Sequence, residues 1–118
     1  MPFSLGYQTT EANGTVTMTG AEDLVFEVTD YKRFVEAFVD LSPMQAGDSI
    51  IVRQYMRIIS GGAYKMYADV PYDDAQIIQL LWVVPKPSNY GLKLTIQQTA
   101  GANRIFTYAV FKENRDTA

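Results

Sequence analysis

The chain has 118 residues, 47% of them hydrophobic and 19% charged, with a formal net charge of −3. That length suits one domain with a single hydrophobic core, and that balance describes a globular chain, not a disordered one. Cysteine and histidine are both absent, which excludes disulfides, thiolate metal sites, Ser-His-Asp and Cys-His catalysis, and the commonest general base.

No apolar run approaches the ~20 residues of a membrane helix. The opening MPFSLGYQTT has neither a basic n-region nor a long apolar h-region, so no signal peptide is expected. The Asn13-Gly14-Thr15 sequon is then better read as turn chemistry than as a glycosylation site. Overall acidity argues against nucleic acid as a partner. Residues 1–50 carry eight acids against Lys32 and Arg33, giving −6, and residues 51–118 carry eight bases against five acids, giving +3. Interleaved strands would mix these charges; separated ones would give an acidic and a basic side suited to head-to-tail assembly.

In chain order, residues 1–14 are read as an N-terminal arm, within which residues 3–10 could pair as an edge strand. Asn13-Gly14 turns into Thr15–Thr19, and Asp23–Val28 follows with Leu24, Phe26 and Val28 on one face. Tyr31–Leu41 fits two templates. Tyr31, Phe34, Val35, Phe38 and Val39 suit an amphipathic helix capped by Asp30; Val35, Ala37, Val39 and Leu41 suit the inner face of a strand with Glu36 and Asp40 outside. The β context on either side favours the strand. Ser42–Asp48 is a loop, and a long strand runs from Ser49 to Ile59, turned at Ser60-Gly61-Gly62 into Ala63–Val70 as a hairpin.

Pro71-Tyr72-Asp73-Asp74 reads as a loop and Gln76–Val84 as an apolar run with the single tryptophan, Trp82. The prolines of Pro85–Tyr90 are expected to end the ladder. Gly91–Phe111 then offers two alternating runs, with Leu92, Leu94 and Ile96 opposite Lys93, Thr95 and Gln97. The link Thr99–Asn103 suits a hairpin loop. About eight strands without strand–helix alternation predict an all-β fold: antiparallel strands in a two-sheet sandwich, jelly-roll or Ig-like, or a small barrel.

Few residues suggest chemistry. Asp69, Asp73 and Asp74 could gather round a hard cation, yet Asp also populates turns for its own backbone hydrogen bonds. The acids fall in no glycosidase-like pair. Arg53, Tyr55, Arg57 and Lys65 could form a strip for single-stranded nucleic acid or phosphate, or simply a solvated outer face. No nucleotide-binding glycine loop is present. The expectation is a chain without catalytic, metal or cofactor residues. The stronger signal is apolar surplus. Ile51, Arg53, Tyr55, Arg57 and Ile59 share one face of their strand, while Ile105 and Phe111 lie opposite the inward side of the last one. A sandwich buries one face of each sheet, so these seven residues are the candidate interface.

VDLSPMQAGDSIIVRQYMRI at 39–58, SGG at 60–62 and LKLTIQQTAGANRIFTYAV at 92–110 cover about half the chain. Together they resemble a group of small, uncharacterised proteins encoded in tailed-phage and phage-like genomes. The shared pattern is Asp-Leu-x-x-Met/Leu-x-x-Gly-Asp before a long strand, then Gln-Thr-Ala-Gly and Arg-x-Phe. The resemblance implies a small virion structural protein with a β-sandwich or jelly-roll fold. In it, Asp40, Gly47 and Asp48 would shape the loop entering the long strand, and Gln98, Gly101 and Arg104 the last turn. It also implies a non-enzymatic capsid decoration (cement) or minor capsid role in a bacteriophage. The partners would be the major capsid protein or other virion proteins and copies of itself, with no nucleic acid and no membrane, and the location would be the virion after synthesis in the host cytoplasm. The alternative is a ligand-binding β-sandwich, such as a carbohydrate-binding module stacking sugars on Tyr55, Trp82 or Tyr90.

Overall fold

The structure, a computed structural model, describes residues 7–114. They form eight strands: β1 (Tyr7–Thr17), β2 (Glu22–Val28), β3 (Lys32–Asp40), β4 (Ser49–Met56), β5 (Lys65–Asp73), β6 (Leu80–Ser88), β7 (Leu92–Ala100) and β8 (Ile105–Asn114). No helix occurs among the described residues. The two-template stretch is strand β3, held between β8 and β6, with Val35, Ala37 and Val39 buried. A helix there would present one apolar stripe; a strand flanked on both sides satisfies every backbone group and still buries alternate side chains.

Two antiparallel four-stranded sheets, ordered β1-β8-β3-β6 and β2-β7-β4-β5, pack face to face as an all-β sandwich. The order is that of a jelly roll. Val35, Ala37, Val39, Phe106 and Val110 of the first sheet meet Phe26, Ile50, Val52, Leu94 and Ile96 of the second. Among the described residues only β4 and β5 are consecutive strands that pair; every other connection crosses between sheets. The connections β1–β2, β3–β4, β5–β6 and β7–β8 meet at one end. There Met18 N–H donates to the Arg104 carbonyl at 2.8 Å, Leu41 N–H to that of Gln79 at 2.6 Å, and Asp74 N–H to that of Asp48 at 2.7 Å.

Five local expectations give way to the observed structure. β7 and β8 lie in different sheets, so Thr99–Asn103 is a crossover and not a hairpin loop. Asn13-Gly14 continues β1 without turning, and Gly14 lies under Tyr108, whose hydroxyl would sit 3.5 Å from an added Cβ. β1 is the edge strand of its sheet, so residues 7–14 of the expected arm are laddered to β8, and residues 1–6 fall outside the described residues. Pro71 lies inside β5, and Pro85 and Pro87 lie inside β6. Both are edge strands, and an outer edge needs no N–H for the ladder. The strand from Ser49 stops at Met56, leaving Arg57, Ile58 and Ile59 to the connection.

Face assignments survive except where a bulge intervenes. Leu92, Leu94 and Ile96 are fully buried, but a register shift between Leu24 and Phe26 turns Leu24 outwards while Val25 and Phe26 enter the core. Truncating Phe106, wholly enclosed between the sheets, to alanine should cost about 3–5 kcal/mol in urea unfolding. The same change at the half-exposed Leu24 should stay within about 0.5 kcal/mol. Equal losses at both positions would contradict the assignment of the bulge.

Candidate functional site

At the end where the four connections meet, one buried carboxylate organises the loops. Asp48 is 1% exposed. Its side chain accepts from Arg104 Nε at 2.7 Å and Nη2 at 3.3 Å, and from the Gln45 N–H at 2.8 Å. The Arg104 hydrogen bonds, then the Gln45 N–H, hold its carboxyl below the ordinary carboxylate range against the opposing effect of burial. Gly101, at φ +90°, closes over the pair; an added Cβ would fall 1.9 Å from Asp48 Oδ1, so both its conformation and its bareness are required. Gln98 completes the turn, its amide donating to the carbonyls of Ala100 at 3.0 Å and Ala102 at 2.6 Å while its oxygen accepts from Arg104 N–H at 2.9 Å. Five of the six residues that the motif resemblance assigned to loop shaping therefore meet in one cluster. Gly47 joins it through its N–H to Asp74 Oδ1 at 2.8 Å, and Asp40 instead caps the Ser42 N–H at 2.9 Å.

This cluster also fixes the connection from β5 to β6. Asp74 anchors its start through Gly47 and Asp48, Gln76 Nε2 bonds the Asp73 carbonyl at 2.8 Å, and the Gln79 carbonyl anchors its end to Leu41. Between the anchors stand Ile77 and Ile78, 100% and 81% exposed. From this crest, exposed apolar residues run down both strands: Met66, Tyr67 and Val70 on β5, and Leu80, Trp82 and Val84 on β6. β1 lies against β2 on the far side of the sandwich, so β5 and β6 are the edge strands on this side, with Leu80, Trp82 and Val84 on the outer face of their sheet. Lys86 Nζ sits 5.4 Å from the centre of the Tyr67 ring and spans the gap between the two strands. Burial raises the Tyr67 hydroxyl to about 12.

The seven candidate interface residues do not form one surface. Ile51, Arg53 and Tyr55 lie on the outer face of the β2-β7-β4-β5 sheet, and Arg57 and Ile59 follow in the connection beyond it. Ile105 and Phe111 lie on the outer face of the opposite sheet, where Phe111 meets Phe38 edge-on at 6.2 Å. The first group is largely engaged within the molecule. Arg53 bonds Gln97 at 2.9 Å and pairs with Glu22 at 3.4 Å and Asp69 at 3.6 Å. Glu22 also accepts from Thr95 at 2.5 Å and from the Tyr55 hydroxyl, and these hydrogen bonds lower its pKa. Arg57 stacks on Tyr64 at 4.3 Å, whose hydroxyl, raised to about 12 by burial, donates to Glu27 at 2.7 Å.

The cations of the nucleic-acid strip are thus occupied by acids or rings, apart from Lys65, which is exposed on β5. The acidic and basic halves of the chain meet in the pairs Glu22–Arg53, Asp48–Arg104 and Glu11–Lys112. Tyr55, Trp82 and Tyr90 lie on one sheet, the other sheet and a connection, so they make no common stacking platform. Asp69 faces Arg53 and Asp74 faces Gly47, and no group of three or more potential metal-ligating acids gathers among the described residues. The apolar run Gln76–Val84 was visible as a run. Its exposure was not, because an uninterrupted apolar stretch has the pattern of a strand covered on both faces.

No family model matches this chain, and no curated protein matches its sequence. Among solved structures it is similar to the VP2 subviral particle of infectious bursal disease virus, with a TM-score of 0.55 and 14% identity. The match covers 94% of this chain and 33% of that one, so the chain spans about a third of the length of VP2. The likeness is one of fold: the jelly-roll sandwich resembles that of a viral particle protein.

Linkage through Asp48 has a definite sign. A carboxylate whose folded pKa lies below its unfolded value stabilises the fold above the unfolded value, near 3.8, and loses that contribution as pH falls through the folded one. Glu22 and Asp30, also lowered, act in the same direction. Unfolding followed from pH 7 down to about pH 2 should therefore show stability falling below about pH 4. D48N should be less stable at pH 7 and fall less steeply. Parallel wild-type and D48N curves would remove Asp48 from that role.

Proposed function

We propose that this chain is a non-enzymatic structural protein of a virion, a capsid decoration or minor capsid protein of a tailed bacteriophage that stabilises the shell through subunit contacts. The observation that carries the proposal is the Ile77-Ile78 crest. Two bulky side chains are held out in solvent by a loop pinned at both ends, where a mobile loop could have folded them away. Burying each contributes about 1.5–3 kcal/mol, and a pre-ordered loop loses little entropy on docking. The fold's likeness to a protein of a subviral particle supports this reading, as does the resemblance of residues 39–62 and 92–110 to tailed-phage proteins. The partner is another protein of the particle, with an apolar recess that receives the crest.

Expanded capsids purified from the phage that encodes the chain should take it up to a saturating stoichiometry. Adding I77D/I78D should weaken uptake on the order of a hundredfold or more with an unchanged circular dichroism spectrum. Failure of the wild-type protein to associate with capsids or other particle components would reject the virion role.

A further inference from the structure

Among the described residues the jelly roll has four free edges, one at each side of each sheet, and three of them are guarded. β1 carries threonines and Glu11 with a register shift between Thr10 and Ala12. β2 carries Glu22, Asp23 and Glu27 with its own bulge. β5 carries Lys65, Asp69, Pro71 and Asp73, and faces a bulge between Gln54 and Tyr55. Charges, prolines and bulges are the usual means by which sheet edges avoid pairing with other chains. The fourth edge is different. From Ala75 to Val84 there is no charged residue, and the first half of β6, Leu80-Leu81-Trp82-Val83-Val84, has neither proline nor glycine. Its guards come only at its far end, where Pro85, Lys86 and Pro87 lie within the register shifts that β6 makes against β3 between Val83 and Ser88.

We infer that Leu80–Val84 is a docking edge for a second copy of this chain, joined antiparallel about a two-fold axis through Trp82, so that two β1-β8-β3-β6 sheets become one. A second copy is the fitting occupant for two reasons. The segment is its own complement, since antiparallel self-pairing sets Leu80 against Val84 and Trp82 against Trp82 with no charge opposed to a like charge. A head-to-tail contact would need another open edge, and the other three are guarded. The prolines then fix the register. Sliding the strands to lengthen the ladder would bring Pro85 into it, where the missing N–H leaves a gap. Leu80, Trp82 and Val84, each about half exposed on the outer face, would form three cross-strand apolar pairs. This deepens the particle role proposed above and rests on it only for its use in a particle, since the pairing belongs to the free chain.

Sedimentation of the purified chain at tens of micromolar should give a dimer, with Trp82 fluorescence shifted to the blue relative to dilute protein. V84K sets a charge into the pairing edge and should sediment as a monomer. The double variant L80E/V84K sets opposite charges against each other in both two-fold-related pairs and should recover the dimer. Circular dichroism and thermal unfolding of each variant, both positions being half exposed, check that the monomer is folded. A wild-type monomer at that concentration, a V84K dimer, or an L80E/V84K chain that stays monomeric each overturns the assignment. Capsid uptake is scored separately: a dimer that ignores capsids sinks the virion reading alone, and a monomer that decorates them sinks the dimer alone.

Discussion

The loop end of this sandwich depends on one ion pair whose carboxylate is buried. Asp48 enters the interior at the start of β4 and is met there by Arg104 at the start of β8, 56 residues away in sequence. A buried carboxylate without that partner would be costly, and the pair itself is better evidence of specificity than of net stability. Its specificity is geometric. It fixes the β3–β4 connection to the β7–β8 connection, demands glycine at 101, and through Asp74 and Gly47 carries the β5–β6 connection with it. The crest of two isoleucines stands where it does because this pair holds the base of its loop.

Much of the fold could be read from alternation. Leu92, Leu94 and Ile96, or Val35, Ala37 and Val39, are spaced by two because a strand in a sandwich buries every second side chain. Of the strand pairings only the β4–β5 hairpin, turned at Ser60-Gly61-Gly62, was legible. Residues 91–111 have every local sign of a hairpin, yet their two strands part to opposite sheets, because the core and the far partners β4, β2, β1 and β3 decide pairing. Proline misled for a related reason. The rule that it ends a ladder assumes neighbours on both sides, and Pro71, Pro85 and Pro87 have one.

The surface was legible in kind but not in place. An excess of apolar side chains is evident from composition, and the strand at Ser49 looked like its location. There, however, Arg53 and Tyr55 are tied to Glu22, Gln97 and Asp69, all from other strands, and sequence gives no sign of such long-range satisfaction. The exposed flank lies instead along β5 and β6, where unbroken hydrophobicity resembled a buried centre. The Asp48–Arg104 partnership was foreshadowed only as two separate turn motifs.

The pairing of β1 with β8 has a bearing on how the molecule is made. The first strand described has no hydrogen-bonding neighbour in its sheet until the last has left the ribosome, and only the β4–β5 hairpin can close between adjacent segments. Loop-closure entropy must be overcome before most native contacts form, which places such a topology among slow folders. During that wait the bare segment 76–84 is already synthesised and uncovered. A nascent chain of this design would gain from a chaperone that binds short greasy stretches, and folding yield at high expression should be set there.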